Sequence, residues 1–186
     1  MTRRRPLTEL AQQAVGEILS AGDRVIDATI GNGHDTVFLA SRVAPGGHVI
    51  GFDVQPGALA ATGARLRASG LTEVVTLLQC GHEQMAAQVP AAWPGGVAAA
   101  MFNLGYLPGG DKTLITRTDT TVSALSQVLG LLRVGGLISL MVYRGHRGGD
   151  SEAQGIDTWI GRLGDDCRVT CHESPGPLLY LIRRLR

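Results

Sequence analysis

The sequence predicts an α/β protein: a seven-stranded, mostly parallel sheet with helices on both faces, an extra helix ahead of the first strand, and a C-terminal antiparallel hairpin. Three observations predict it. Short apolar runs alternate with segments of helical composition along most of the chain, the pattern of a parallel sheet whose crossovers are helices. The first of those runs, RVI, breaks into the glycine-containing turn DATIGNGHDT, which leads directly into VFLASRV, the start of a helix. Near the C-terminus two further runs are separated only by ESPGP. Strands that close together pair as a hairpin.

Leu7, Leu10, Ala14, Ile18 and Leu19 recur at helical spacing, and Gly22 follows as a stop, so a helix is expected over Leu7–Ser20. Apolar runs then place strands at Arg24–Ala28, His48–Phe52, Val74–Leu78, Val97–Phe102 and Leu137–Tyr143. Between them, Gly57–Ala68 and Thr118–Leu132 have helical composition, and a further helix is expected around Glu152–Leu163. Arg168–His172 and Leu178–Ile182 form the closing hairpin, which gives seven strands with one reversed. The PGG, PGGD and RGGD clusters punctuate the ends of elements.

Length and composition bound the function. At 186 residues the chain is read as one domain, 1–186, with room for a single well-buried core. No apolar run reaches the roughly 18 residues that span a bilayer, so no membrane association is expected. The basic start MTRRRPLTELAQQAV lacks the apolar stretch of a signal peptide, and Cys80, Cys167 and Cys171 are odd in number without a CxxC pair. A reducing, cytoplasmic location follows as the expectation. The net charge of +1 gives no global argument for nucleic acid, although arginines gather at both termini and in loop-like segments. No interface stripe stands out, which leaves a homodimer open.

Ligands of open α/β sheets bind beyond the carboxyl ends of the strands, where strand order reverses. That rule nominates the loops after Ala28, Phe52, Leu78 and Phe102. In the first, Asp27, Thr29, Gly31, Asn32, Gly33, His34, Asp35 and Thr36 make up a turn whose glycines can take positive φ and bring backbone close to a ligand. It is not G-x-G-x-x-G, which counts against a dinucleotide. In the second, Asp53 follows HVIGF, where a carboxylate accepts both hydroxyls of a ribose or caps the helix opening at Pro56; Gln55 lies beside it. In the third, His82 either contacts an adenine or is a polar residue at a helix start. The fourth, MFNLGYLPGGDK, is the most informative: Asn103 ends an apolar strand, and Leu104, Gly105 and Tyr106 follow. A carboxamide oxygen beside a main-chain carbonyl can accept two hydrogen bonds from one amine, and the tyrosine ring can pack on a flat base. Lys112, the only lysine, suits a phosphate or an ion pair with Asp111 or Asp119. In YRGHRGGDSE, His146 can take a proton or touch phosphate, with Arg144 and Arg147 beside it.

VIDATIGNGHDTVFLA, GFDVQPGAL, MFNLGYLPGGDK and VYRGHRGGDSE, in this order and spacing, resemble the small S-adenosylmethionine-dependent methyltransferases labelled putative rRNA methylases, over nearly the whole chain. The turn also partly echoes the 16S rRNA cytosine-N4 methyltransferases, longer chains with an inserted domain. The resemblance implies the class I methyltransferase, Rossmann-like fold, and S-adenosylmethionine as methyl donor with S-adenosylhomocysteine as product. It implies the anticodon region of tRNA as partner and, as substrate, the aminomethyl group of 5-aminomethyl-2-thiouridine at wobble position 34. No metal is implied. On this reading the Asp27–Thr36 turn, Asp53, Gln55, His82 and Asn103 bind cofactor. Asn103, Tyr106 and His146 are catalytic, the last as proton acceptor, and Leu104, Gly105, Lys112, Arg144 and Arg147 bind substrate RNA. Another amine acceptor, or a non-catalytic nucleotide-binding module, are the alternatives.

Overall fold

A computed structural model describes residues 5–107, 109, 115–145 and 148–186. Seven strands form one sheet: β1 (Arg24–Asp27), β2 (His48–Phe52), β3 (Val75–Leu78), β4 (Val97–Asn103), β5 (Leu132–Tyr143), β6 (Cys167–Glu173) and β7 (Pro177–Arg184). The helices are α1 (Leu7–Gly16), α2 (His34–Val43), α3 (Pro56–Ala68), α4 (Met85–Gln88), α5 (Thr118–Leu131) and α6 (Gly149–Ile160). Spatial order in the sheet is β3-β2-β1-β4-β5-β7-β6. The pairs among β1 to β5 are parallel, and β7 runs antiparallel to both β5 and β6. The hairpin therefore inserts its second strand beside β5 and leaves its first at the edge.

Alternation along the strands sorts side chains to two faces. The register row Ile50, Ile26, Ala100, Ile138 and Ile182 crosses five neighbouring strands. It faces α5 and α6, whose Leu125, Val128, Ile156 and Trp159 belong to the same buried cluster. The adjacent row Val49, Val25, Ala99 and Leu137 faces the other way, onto Val15 of α1, Leu39 of α2 and Leu66 of α3. The extra N-terminal helix thus completes the layer covering the α2 and α3 side.

Many boundaries shift by one to three residues from the sequence expectation, and two shift further. The first helix ends at Gly16 and not at Ser20. Strand β5 begins at Leu132, five residues early, because Val97 pairs with Leu132 and Ala99 with Leu137. The residues between form a bulge in which Gly135 has φ +80. Gly135 and Gly136 thus form an irregularity inside one strand. Among the described residues, no helix is long and apolar enough to cross a membrane.

Candidate active site

Strand order reverses at β1, whose neighbours are β2 and β4, and there a cavity of about 690 Å³ opens at the carboxyl ends of the strands. That volume is ample for a nucleoside-sized ligand and part of a second molecule. All four nominated loops, and the residues after β5, contribute to its wall.

The floor of the first loop is a buried polar knot. Asp27 ends β1 at 1% exposure; its Oδ2 accepts the Thr36 hydroxyl at 2.6 Å and its Oδ1 the Thr29 amide at 3.2 Å. Burial, with the charge of Asp35 second, pushes the Asp27 carboxyl up to about 7 against the lowering effect of those hydrogen bonds. Asp27, Gly33 and Thr36 are not among the residues lining the cavity; Asp27 and Thr36 are buried, hydrogen-bonded to each other and hold the turn. Gly33 sits at φ +80 as the residue before α2, where a Cβ would fall 2.8 Å from Thr62 Cγ2. The position therefore requires glycine both for its conformation and for the close approach of α3. No side chain caps α2, and an uncapped helix start suits an anionic ligand group.

Thr29, Gly31, Asn32, His34 and Asp35 do line the cavity, as do Gln55 and His82. Asp35 Oδ1 accepts the Gln12 side-chain amide at 2.8 Å, which ties α1 to the first turn of α2. Burial raises the Asp35 carboxyl, and burial together with Asp35 raises Tyr143, which stands in the wall at the end of β5. His82 is 7% exposed; its Nδ1–H donates to the Ala28 carbonyl at 3.1 Å, and its ring lies 5.8 Å from that of Phe102. Burial lowers its pKa, so the ring is a neutral brace for the end of β1 as well as a wall.

Asp53 directly follows β2, with one carboxylate oxygen accepting the Gly31 amide and the other accepting the Gln55 amide, both at 2.9 Å. It locks the two loops together. A carboxylate has about four acceptor sites, so each oxygen keeps a lone pair for a ribose hydroxyl. Beside it Val54, 55% exposed, offers the apolar surface that a flat base can cover. The donor set therefore fits an adenosine carrying an anionic tail.

The acceptor side is built on β4. Asn103 is exposed at the strand end, and its backbone N–H donates to Thr29 Oγ1 at 2.7 Å, coupling the first and fourth loops. The Leu104 amide donates to the Met141 carbonyl at 3.0 Å, and the Gly105 amide to Thr116 Oγ1 at 2.9 Å. Leu104 is buried, whereas Tyr106, 42% exposed, stands at the mouth and bridges Ile115. Arg144 is exposed and also lines the cavity. Lys112, His146 and Arg147 lie outside the described residues. Sequence reading missed Gln12, Thr116, Tyr143 and Glu152. Tyr143 and Glu152, the first and last residues of the YRGHRGGDSE segment, fell within a stretch singled out from sequence. Among the described residues, no group of three or more His, Cys, Asp or Glu is placed to hold a metal ion.

Sheet order, the reversed β7 and a crevice opposite β1 and β4 define a class I methyltransferase fold. Residues 49–174 match the family described as "Putative rRNA methylase". The chain belongs to that family. It is 40% identical over 164 residues to the chloroplastic tRNA (mnm(5)s(2)U34)-methyltransferase of Arabidopsis thaliana, an alignment covering 84% of this chain and 59% of the plant protein. The chain thus spans less than two thirds of that relative's length. Among solved structures, a putative rRNA-methylase of Clostridium thermocellum superposes with a TM-score of 0.92 at 36% identity, covering 100% of both chains. A putative methyltransferase of Streptococcus mutans in complex with SAH does so at 0.87 and 33%, covering 99% of this chain and 100% of the other.

Proposed function

We propose that this chain, as one catalytic domain over residues 1–186, is an S-adenosylmethionine-dependent N-methyltransferase. Its substrate is the aminomethyl group of 5-aminomethyl-2-thiouridine at position 34 of tRNA. The observation that carries the reading is one cavity with two halves. Asp53 and the Thr29–Asp35 turn supply hydroxyl and anion recognition, Asn103 and Tyr106 supply amine and base recognition, and the Thr29–Asn103 hydrogen bond holds the halves in register. The wobble substrate is supported by the name of the plant relative.

When bound, S-adenosylmethionine would supply an electrophilic methyl group, with S-adenosylhomocysteine as the product. The chain's own residues bind, orient and exclude water. Asp53 accepts the ribose hydroxyls with the lone pairs left by Gly31 and Gln55, and the uncapped start of α2 receives the carboxylate end. Asn103 Oδ1 and the Leu104 carbonyl accept hydrogen bonds from the amine and turn its lone pair inward, while Tyr106 packs against the thiouracil ring. Most of the acceleration comes from this positioning. An aliphatic amine is protonated at neutral pH, by analogy with lysine, so a proton must leave before attack. His146 is assigned that acceptor role from the sequence resemblance. Arg144, with Lys112 and Arg147, contacts the tRNA backbone around the anticodon, and we place this activity in the cytoplasm.

The test is methyl transfer from labelled cofactor to tRNA bearing the wobble aminomethyl group, to the same tRNA lacking it, and to rRNA. Label in the first alone is the expected result. Label in rRNA, or equally in both tRNAs, would move the activity to another amine, and cofactor binding without transfer to any substrate would mark a binding module.

A further inference from the structure

The structure assigns to Glu152 a positioning role: through the Thr116 hydroxyl it fixes the Leu104–Gly105 peptide of the acceptor loop. The assignment rests on the functional reading above. Glu152 lies in the first turn of α6 at 2% exposure, yet it is a carboxylate, a group that is costly to bury unless its oxygens are hydrogen-bonded. Its Oε2 accepts the Thr116 hydroxyl at 2.8 Å and its Oε1 the Thr121 hydroxyl at 2.6 Å.

The chemistry of the hydroxyl gives this arrangement a direction. A threonine hydroxyl has one proton and two lone pairs, and an ionised carboxylate only accepts. With its proton committed to Glu152, Thr116 Oγ1 must present a lone pair elsewhere, and it receives the Gly105 N–H at 2.9 Å. The Thr116 amide closes the pair by donating to the Gly105 carbonyl at 3.0 Å. The Gly105 N–H and the Leu104 carbonyl belong to one planar peptide unit, so fixing the N–H fixes where the carbonyl points. That carbonyl is the second acceptor proposed for the substrate amine. Gly105, at φ +121, has no Cβ to hold this peptide plane, which leaves the hydrogen bond to do it.

Thr121 provides the internal control. It is fully buried, bonds the same carboxylate and does not line the cavity, whereas Thr116 does. A purely structural Glu152 would depend on both threonines alike. A positioning Glu152 would pass its effect to the site through Thr116 alone.

The experiment compares the full chain with Thr116→Val, Thr116→Ser, Thr121→Val and Glu152→Ala. The readouts are single-turnover transfer to aminomethyl-bearing tRNA, calorimetric affinity for S-adenosylhomocysteine, thermal midpoint, and amide exchange at Gly105. Thr116→Val and Glu152→Ala should each lower the transfer rate about tenfold or more with cofactor affinity held within about twofold, the pattern of a lost orienting contact. Gly105 exchange should rise by a similar factor as the local hydrogen bond opens. Thr116→Ser should restore both readouts, and Thr121→Val should lower the thermal midpoint while leaving the transfer rate at the parent value. Parent-like rate and exchange in Thr116→Val would overturn the assignment. So would a Thr121→Val variant slowed as much as Thr116→Val, and the threonine variants decide the matter even if Glu152→Ala does not fold. A parent protein that methylates no tRNA would refute the substrate reading instead, and Gly105 exchange would still judge the relay.

Discussion

At the scale of single residues the site is held by carboxylates that accept from the backbone and from hydroxyls. Asp27 makes the clearest pH prediction. Its carboxyl is raised to about 7 in the fold from 3.8, so the folded state holds the proton more tightly than the unfolded chain does. The stability this contributes is fully present below about pH 4 and is lost as pH rises through about 7, at most about 4 kcal/mol over that window, since each pKa unit is worth about 1.4 kcal/mol. Urea midpoints of the parent should therefore fall from pH 5 to pH 8, and Asp27→Asn should flatten that slope. An unchanged slope in the variant would place the titration elsewhere. Asp53→Ala removes the acceptor for both the Gly31 and the Gln55 amides. We expect S-adenosylhomocysteine to bind about 1.5–3 kcal/mol more weakly, the range for hydrogen bonds to a charged group, with calorimetry as the check. Asp53 and Asn103 were legible in the sequence because each is a polar residue placed directly after an apolar strand. Glu152 and Gln12 were not, because their partners lie 36 and 23 residues away, and only the fold brings them together.

At the scale of elements, the junction of β1 and α2 depends on one backbone conformation. In Gly33→Ala the residue must hold left-handed backbone and its Cβ must meet the Thr62 side chain of α3. The backbone term alone should cost about 1–2 kcal/mol. The contact with Thr62 adds to it, so Gly33→Ala/Thr62→Ala should recover part of the lost stability. Denaturant melts of the single and double variants measure this, and equal losses would show that Thr62 does not press on position 33. The order of strands and helices could be read from apolar runs and glycine punctuation, and the C-terminal hairpin from ESPGP. What could not be read was where β5 begins, because the residues from Leu132 pair before the bulge and resemble the end of a helix. Nor did the sequence say that β7, and not β6, would sit beside β5, since β6 is the nearer of the two along the chain.

At the scale of the whole molecule, the fold sets two polar loop systems against each other across the carboxyl end of one sheet, with an exposed arginine lining the cavity. If Arg144 meets a phosphate, Arg144→Gln should reduce the slope of log affinity for tRNA against log salt by about 0.7–0.9, one counterion's worth. An unchanged slope would place Arg144 away from the RNA. At the end of β4, Asn103 is assigned by resemblance to both cofactor and acceptor, and we propose that its side chain serves chiefly to orient the methyl acceptor. Asn103 lines the cavity and couples to the cofactor loop through its backbone N–H, which an alanine keeps. The most direct measurement is therefore a pair on Asn103→Ala: calorimetric affinity for S-adenosylhomocysteine and single-turnover methylation of aminomethyl-bearing tRNA. Affinity should stay close to the parent's while the methylation rate falls by about 100-fold or more, the signature of a lost orienting contact. Collapse of cofactor binding, or methylation at the parent rate, would contradict it.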